Sequence, residues 1–404
     1  MPVQDPLNPS RPAARSTTGP RDSVLMVLEC AFPAWGGGGA ETQVRTIARW
    51  LSERGVKVTV VVPRVSYAPQ ATRDQLDGFQ IVRISYPHVR LLGAAVMLTR
   101  LVWLLVRRRR DYSVVHVVIA NNMAAVTCVV ARLLGKPTIV KLTGLHEMAG
   151  GILATNPGAL TALKKRALQL ATHYQATSSR IAQLLTAAGF AADKVRLIPN
   201  AVDTARFSPA PAHDGDRQHI RSGAGFIAVF TGRLVPEKGL ELLLRAWPAV
   251  VSRRQDARLL LVGEGPLRDN LRSLAEELGI AERVSFVGHS DSVESYLRAA
   301  DLGVLPSLSE GLSNTLLEFM ATGLPVVGSR VSGTEDFVVP EETGWLFDAG
   351  SAEQLECCLL QATSAAASVL ERMGSRAREL VVSRASITAV AGRLVELYGV
   401  RVDS

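Results

Sequence analysis

Two carboxylates and two cations carry the chemistry that the chain states most directly. Glu310 and Glu318 stand eight residues apart in SLSEGLSNTLLEFMATGLP, at 307–325. Between them Gly311, Leu312, Ser313 and Asn314 form a small polar loop that opens a helix. Ser313 or Asn314 can cap that helix, and Gly323 followed by Pro325 closes it. Glu310 then lies on the loop before the helix, and Glu318 about one turn inside it. The free amides of a helix start attract anions, and a carboxylate accepts several hydroxyl hydrogen bonds at once. Paired acids beside an anion hole suit a ligand that is part phosphate and part polyol, as a nucleotide-activated sugar is. Arg233 and Lys238, in TGRLVPEKG at 231–239, follow a predicted strand. That places them in the crevice at the strand's C-terminal end, where α/β sheets bind ligands. Fixed cations there stabilise the charge that grows on a departing diphosphate. Gly232 and Gly239 beside them permit close backbone approach.

Strand-like apolar runs separated by helix-length segments must hold these residues. One series comprises 24–28, 57–62, 80–84, 113–118, 138–142 and 174–177; a second comprises 226–230, 258–262, 284–287, 303–305 and 326–328. The runs are short and rich in Val and Ile, as in a parallel sheet covered on both faces. Two series imply two doubly wound α/β domains, in keeping with 404 residues. The expected division is a tail at 1–22, a first domain at 23–207, a linker at 208–225, a second domain at 226–382 and a closing helical segment at 383–404. The linker assignment rests on SPAPAHDGDRQ, rich in Pro, Gly and charge.

Apolar content of 47% with 20% charged residues indicates a globular protein with a sizeable core. Cys30, Cys128, Cys357 and Cys358 have no metal-ligand spacing; they read as buried thiols in a reducing cytoplasm. The formal net charge of +8 favours anionic partners, but no nucleic-acid module is present and basic residues do not interleave with aromatics. The first 22 residues carry five prolines and three arginines without an apolar stretch; they are expected to be disordered and not to form a signal peptide. Leu91–Val106 is apolar apart from Thr99 and Arg100 and is followed by Arg107–Arg110. It is too short and interrupted to span a bilayer. Two readings stand: an interfacial helix whose arginines meet anionic lipid, or a buried crossover helix ending in solvated arginines.

The glycine run Gly36–Gly39 precedes a helix beginning near Ala40, so its amides are placed to face phosphate. It lacks the Gly-Lys-Ser/Thr of a P-loop, which argues against ATP hydrolysis. The one Asp-x-Asp spacing of a metal-dependent sugar transferase, Asp214-Gly215-Asp216, follows SPAPAH and not a strand. It reads as solvated, and no metal or other cofactor is expected.

Together the Glu-x7-Glu stretch, TGRLVPEKG, VGEGPLRDNL at 262–271, FVGH at 286–289, IPNAVDTARFSP at 198–209 and the glycine-rich start at 36–62 resemble, in order, the retaining glycosyltransferases of family 4 (group 1). The resemblance runs from about Ser23 onward and implies the GT-B fold, two Rossmann-like domains facing a cleft. It implies that Glu318 accepts hydrogen bonds from the nucleotide ribose, that Glu310 lies by the donor sugar, and that Arg233 and Lys238 clamp the pyrophosphate in place of a metal. It places Gly38 and Gly39 in the cleft near donor phosphate and acceptor, counts Gly311, Leu312, Ser313 and Asn314 with the donor loop, and carries the closing helix back to the first domain. Asn200, Asp203 and Phe207 order the interdomain loop. The histidine that relatives carry after the strand at 139–143 is replaced by position with Gly144, and His146 follows two residues later as the candidate for its catalytic role. Glu147 is then an acceptor contact, and His289 lies near the base. His116, in VVHVV, is a strand histidine near the cleft wall.

The activity implied is retaining transfer of a sugar from a nucleotide-diphosphate donor, such as a UDP- or GDP-sugar, to a hydroxyl of a glycan or lipid-linked acceptor, in the cytoplasm or peripherally at the inner face of the cell membrane. Two rivals remain at this stage: a sugar-nucleotide epimerase of the same fold, and a non-catalytic sugar-nucleotide binder.

Overall fold

The computed structural model describes residues 22–33, 39–65, 71–144, 158–209, 215–221 and 223–403. The tail at 1–21, Gly38, His146 and Glu147 lie outside the described residues.

The first sheet has eight strands: β1 Ser23–Leu28, β2 Lys57–Pro63, β3 Arg73–Leu76, β4 Phe79–Ile84, β5 Val114–Val118, β6 Thr138–Leu142, β7 His173–Ala176 and β8 Val195–Leu197. Their order is β3-β4-β2-β1-β5-β6-β7-β8, parallel except for the antiparallel pair β3–β4. Every residue of β1 and β5 is buried, as continuous apolar runs require when helices cover both faces. The second sheet is wholly parallel: β9 Phe226–Thr231, β10 Ala257–Val262, β11 Val284–Gly288, β12 Leu302–Leu305, β13 Val326–Ser329 and β14 Gly344–Phe347, ordered β11-β10-β9-β12-β13-β14. In each sheet the strand order reverses beside the first strand of the set, at β1/β5 and at β9/β12. Such switch points open the crevice in which α/β sheets hold ligands.

Three strands are missing from the expected runs: β3 reads RDQL and is mostly exposed, β8 has three residues, and β14 is the short apolar run GWLF. All three lie at sheet edges.

The expected division needs correcting at three points. Asp22 is held, not free: its backbone oxygen accepts from Lys57 N at 3.1 Å and its carboxylate from Arg401 N at 2.8 Å. The proposed linker contains a helix, Gly215–Arg221. Arg221 ties that helix to the second domain by donating to Asp301 and to the Ala299 carbonyl, each at 2.8 Å. The boundary near 382 falls inside the helix Ala367–Ala385, and the chain turns at Ser386. There Val202 N donates to Ala385 O at 2.9 Å and Ile387 N to Val202 O at 3.2 Å, so the two strands that cross between the domains run side by side.

After that crossing, the helix Ile387–Tyr398 starts with Ser386 Oγ accepting from Ala389 N. It buries Val390, Ala391, Leu394 and Tyr398 in the core that β1 and β2 share with the helix Gly39–Ser52. The Tyr398 hydroxyl lies 2.6 Å from His116 Nδ1. Burial, with Lys141 close by, pushes the His116 pKa down to about 3. His116 is therefore a neutral core residue under the last helix, one step behind the cleft wall.

Candidate active site

The loops after β9 and β12 build one wall of the cleft. The first makes a single turn, Pro236–Lys238, and ends at Gly239 with φ 64°. A side chain at Gly239 would put its Cβ 2.1 Å from Pro306 O, so only glycine lets the two loops touch. Leu308 N then donates to Glu237 O at 2.8 Å. This seam brings the Lys238 ammonium against Glu310 Oε1, in a hydrogen-bonded ion pair. Ser307 Oγ donates to the same oxygen at 2.8 Å. Both partners are largely buried, with side-chain exposures of 19% for Lys238 and 13% for Glu310. Arg233 stands on the same loop, exposed, and among the described residues no acceptor engages it.

The opposite wall comes from the end of β6. Thr143 and Gly144 face Arg233, Lys238, Glu310 and Gly311 across a cavity of about 310 Å³. At Gly311 the two domains come close together: a Cβ there would lie 2.0 Å from Thr143 O.

Glu318 sits on the helix Asn314–Ala321, one turn in from its start. It is half-buried, and among the described residues no donor reaches its carboxylate. Burial pushes its pKa up to about 7; Arg206 opposes the rise and Glu294 adds to it. Such a carboxylate gains from hydroxyl donors supplied from outside the protein.

The expected cap of this helix is not made. Ser313 occupies the N-cap but its side chain takes no cap hydrogen bond. Asn314, the first helical residue, points instead across the domain boundary. Its Oδ1 accepts from Gln43 Nε2 at 3.1 Å and from Asn200 Nδ2 at 2.9 Å, and its Nδ2 donates to Gly39 O at 3.2 Å. Asn200 also donates to Leu312 O at 2.9 Å, and Gln43 is fixed by paired 2.7 Å bonds with the backbone of Ala201. Asn314, Asn200 and Gly39 thus form an interdomain knot, and Leu312 is buried beneath it. Of the remaining expectations, His289 is exposed at the end of β11, 3.4 Å from Asp291. Asp216 lies on the surface helix and accepts from Ser295 Oγ. Among the described residues no group of three or more His, Cys, Asp or Glu is placed to hold a metal ion.

This geometry now meets its relatives. A family model described as glycosyltransferase family 4 matches residues 37–206, and one described as glycosyl transferases group 1 matches residues 225–364. A GDP-mannose-dependent alpha-(1-6)-phosphatidylinositol monomannoside mannosyltransferase of Mycobacterium tuberculosis is 30% identical over 281 residues, 66% of this chain and 70% of the relative. The chain belongs to the group 1, family 4 glycosyltransferases. Another relative, a 2-deoxystreptamine glucosyltransferase of Streptomyces kanamyceticus, is 29% identical over 322 residues, 74% of this chain and 82% of its own. The fold is that of Anabaena HepE solved with UDP, at TM-score 0.73 and 18% identity over 93% of this chain and 99% of that one. It is also that of a sucrose-phosphate synthase from Thermosynechococcus elongatus, at TM-score 0.75 and 22% identity over 93% and 98%.

In this glycosyltransferase the second clasp between the domains went unread in the sequence. Asp336 accepts from Ser179 N at 2.7 Å and from the Ser179 hydroxyl, at the start of the helix Ser179–Ala187. Beside it Ser178 Oγ and Ser332 Oγ stand 2.7 Å apart. The aspartate satisfies the first amide of a helix in the other domain, at its positive end. No sequence signal joins residues 157 apart in this way.

Proposed function

We propose that this enzyme is a retaining transferase that moves a sugar from a nucleotide-diphosphate donor to an acceptor hydroxyl without a metal ion. The observation that carries the reading is the Lys238–Glu310 pair, which stands beside exposed Arg233 and opposite Thr143 and Gly144. Lys238 and Arg233 meet the diphosphate, and the first-turn amides of the helix Asn314–Ala321 add to the positive field. Glu318 takes the ribose hydroxyls. When the glycosidic bond to phosphate breaks, negative charge grows on the leaving oxygen and the fixed cations stabilise it. The acceptor hydroxyl attacks from the same face and its proton passes to the leaving phosphate, so no covalent nucleophile is needed. Gly144 lines the cavity beside the cations, on the side where the reacting sugar would lie; the roles expected of His146 and Gly38 fall on residues outside the described ones.

The donors of similar proteins support a nucleotide-sugar substrate: GDP-mannose for the mycobacterial enzyme, and UDP-glucose in a complex of the Anabaena protein. The acceptor is a glycan or a lipid-linked glycan, and the enzyme works in the cytoplasm, with peripheral contact to an anionic membrane. No described helix is long and apolar enough to cross a membrane.

The test is to screen UDP-, GDP- and ADP-sugars by thermal shift. Any stabilising donor is then incubated with acceptors, and the product's anomeric configuration is read by NMR. An α-linked donor should give an α-linked product. An inverted product removes the same-face step. Release of nucleoside diphosphate without acceptor, with an isomerised sugar, favours the epimerase. Binding with no turnover on a broad acceptor panel favours the binder.

A further inference from the structure

We propose that the three helices Arg90–Arg107, Asn122–Leu133 and Ala159–Leu168 form one face that lies flat on an anionic lipid bilayer, with the mouth of the cleft at headgroup level. The inference deepens the peripheral membrane contact given above and rests on it. It assigns the docking surface.

The helices share one layer. They bury Leu101 and Leu105, Met123 and Cys128, and Leu168 in a single core on one side of the first sheet. Neighbouring helices in that layer pack on each other. Their outer sides are apolar. Leu91 is 88% exposed, Trp103 61%, Leu133 81% and Leu160 84%. Isolated exposed leucines are ordinary on any protein. A concentration on one layer is not: among the described residues, the second domain exposes only Leu308, Val339 and Val382 of the large apolar residues, scattered over its surface.

Charge selects the partner. None of the three helices contains a single Asp or Glu, while together they carry Arg100, Arg107, Arg132, Lys164, Lys165 and Arg166. The helices of the second domain that cover its sheet each carry at least one acid; Arg268–Glu277, for example, reads RDNLRSLAEE. The Arg107 guanidinium lies over the Trp103 ring, 5.0 Å from its centroid. An aromatic and an arginine paired at a surface suit the headgroup region, where one end meets lipid and the other water.

Topology sets the orientation. Crossover helices of a parallel sheet start at the C-terminal ends of strands, which is the cleft side. The apolar helix starts, Leu91 and Leu92 on one helix and Leu160 and Leu163 on another, therefore border the cleft. An acceptor held in the bilayer by a lipid then reaches the acceptor wall without leaving the membrane.

The experiment is co-sedimentation of the full chain with vesicles of phosphatidylcholine alone or mixed with phosphatidylglycerol. Three proteins are compared: wild type, Arg107→Ala/Arg110→Ala/Arg132→Ala, and Leu92→Ser/Trp103→Ser/Leu133→Ser. Wild type should pellet with mixed vesicles and not with neutral ones, and should be released by salt. Each lost arginine should weaken binding about five-fold, the equivalent of roughly 1 kcal/mol, and the apolar variant should lose binding altogether. All three should keep the same donor affinity and the same rate on a water-soluble acceptor, which separates failure of this surface from failure of the transferase reading. The proposal is overturned if wild type ignores mixed vesicles, if neutral vesicles bind equally well, or if both variants pellet like wild type. It is overturned too if ultracentrifugation finds a dimer that the apolar variant dissolves, since a second copy then covers the face.

Discussion

The two walls of the cleft are built in different ways. The second domain supplies its wall from two compact loops, 232–239 and 306–318, whose functional side chains lie within a few residues of each other. The first domain supplies single residues from distant places: Gly39 and Gln43 from one helix, Thr143 from the end of β6, Asn200 from the domain crossing. Chemistry that is local in sequence shows itself as spacing. Chemistry assembled from distant elements depends on packing, and spacing is silent about it. The difference also separates roles. The local wall carries the charges that, in the function proposed here, act on the diphosphate, and the assembled wall carries neutral amides that tie the two domains together.

The sharpest way to break this comparison is Lys238→Ala. If the local wall does the chemistry, kcat should fall by about 10²–10³-fold, the usual loss when one preorganised group that stabilises developing charge is removed. Some stability should go with it, because removing the ammonium leaves Glu310, whose side chain is only 13% exposed, without its charged partner. Rate per folded molecule and melting temperature, measured together, decide it. A variant that melts early but turns over normally would move Lys238 from chemistry to folding.

Asn314→Ala, on the local wall, probes the assembled wall through the partners it releases. Removing this amide leaves Gln43, Asn200 and Gly39 each one partner short at the domain boundary. The expected cost is about 1–3 kcal/mol, felt as a looser cleft: a several-fold rise in donor KM with kcat at saturation nearly kept. Steady-state kinetics beside small-angle scattering would read both. A kcat loss as deep as that of Lys238→Ala would erase the division of labour between the walls.

How much was legible follows the same line. The two sheets were readable because buried parallel strands leave continuous apolar runs, as in SVLMVL and FIAVFT. Edge strands such as RDQL carry no such mark. That Arg233, Lys238 and Glu310 share one crevice follows from their places after β9 and β12; the roles expected of them and of Glu318 rest on the family resemblance. Asn314 was read as a cap or donor-loop residue because cap preference is a local rule, and nothing local reveals that Gln43 and Asn200 wait across the boundary. Gly311 was read as part of an anion loop; the 2.0 Å that a Cβ would leave to Thr143 O shows that it also sets how near the domains come. His116 is absorbed by Tyr398, a residue 282 positions away, on a helix whose return to the first domain only the family resemblance implied.

A smaller effect tests whether the ribose contact belongs with the charged wall. Burial holds the Glu318 pKa near 7, above the ordinary carboxylate value. Between those two values the folded protein keeps a proton that the unfolded chain has lost, so this group's contribution to stability falls as pH rises through that window. Donor binding should run the other way: the ionised carboxylate is the better acceptor of ribose hydroxyls, so affinity should rise as pH passes about 7. Glu318→Gln should flatten both slopes. Calorimetric titration at a series of pH values checks this, and a slope that persists in the variant removes Glu318 from the ribose site.

The smallest effect is expected at His289, and it marks where the local wall ends. The residue follows the FVG run at the end of β11, yet its side chain is 64% exposed and the aspartate 3.4 Å away, Asp291, is 99% exposed. A pair so open to water contributes little, and substitutions at such surface positions usually stay within about 0.5 kcal/mol. Whatever this turn gives to a bound base then comes from its backbone, which alanine keeps. His289→Ala should leave melting unchanged and donor affinity within a factor of about two. A ten-fold weaker donor, about 1.4 kcal/mol, would mean that the imidazole folds over the base on binding, and that the charged wall extends one strand further than its loops at 232–239 and 306–318 suggest.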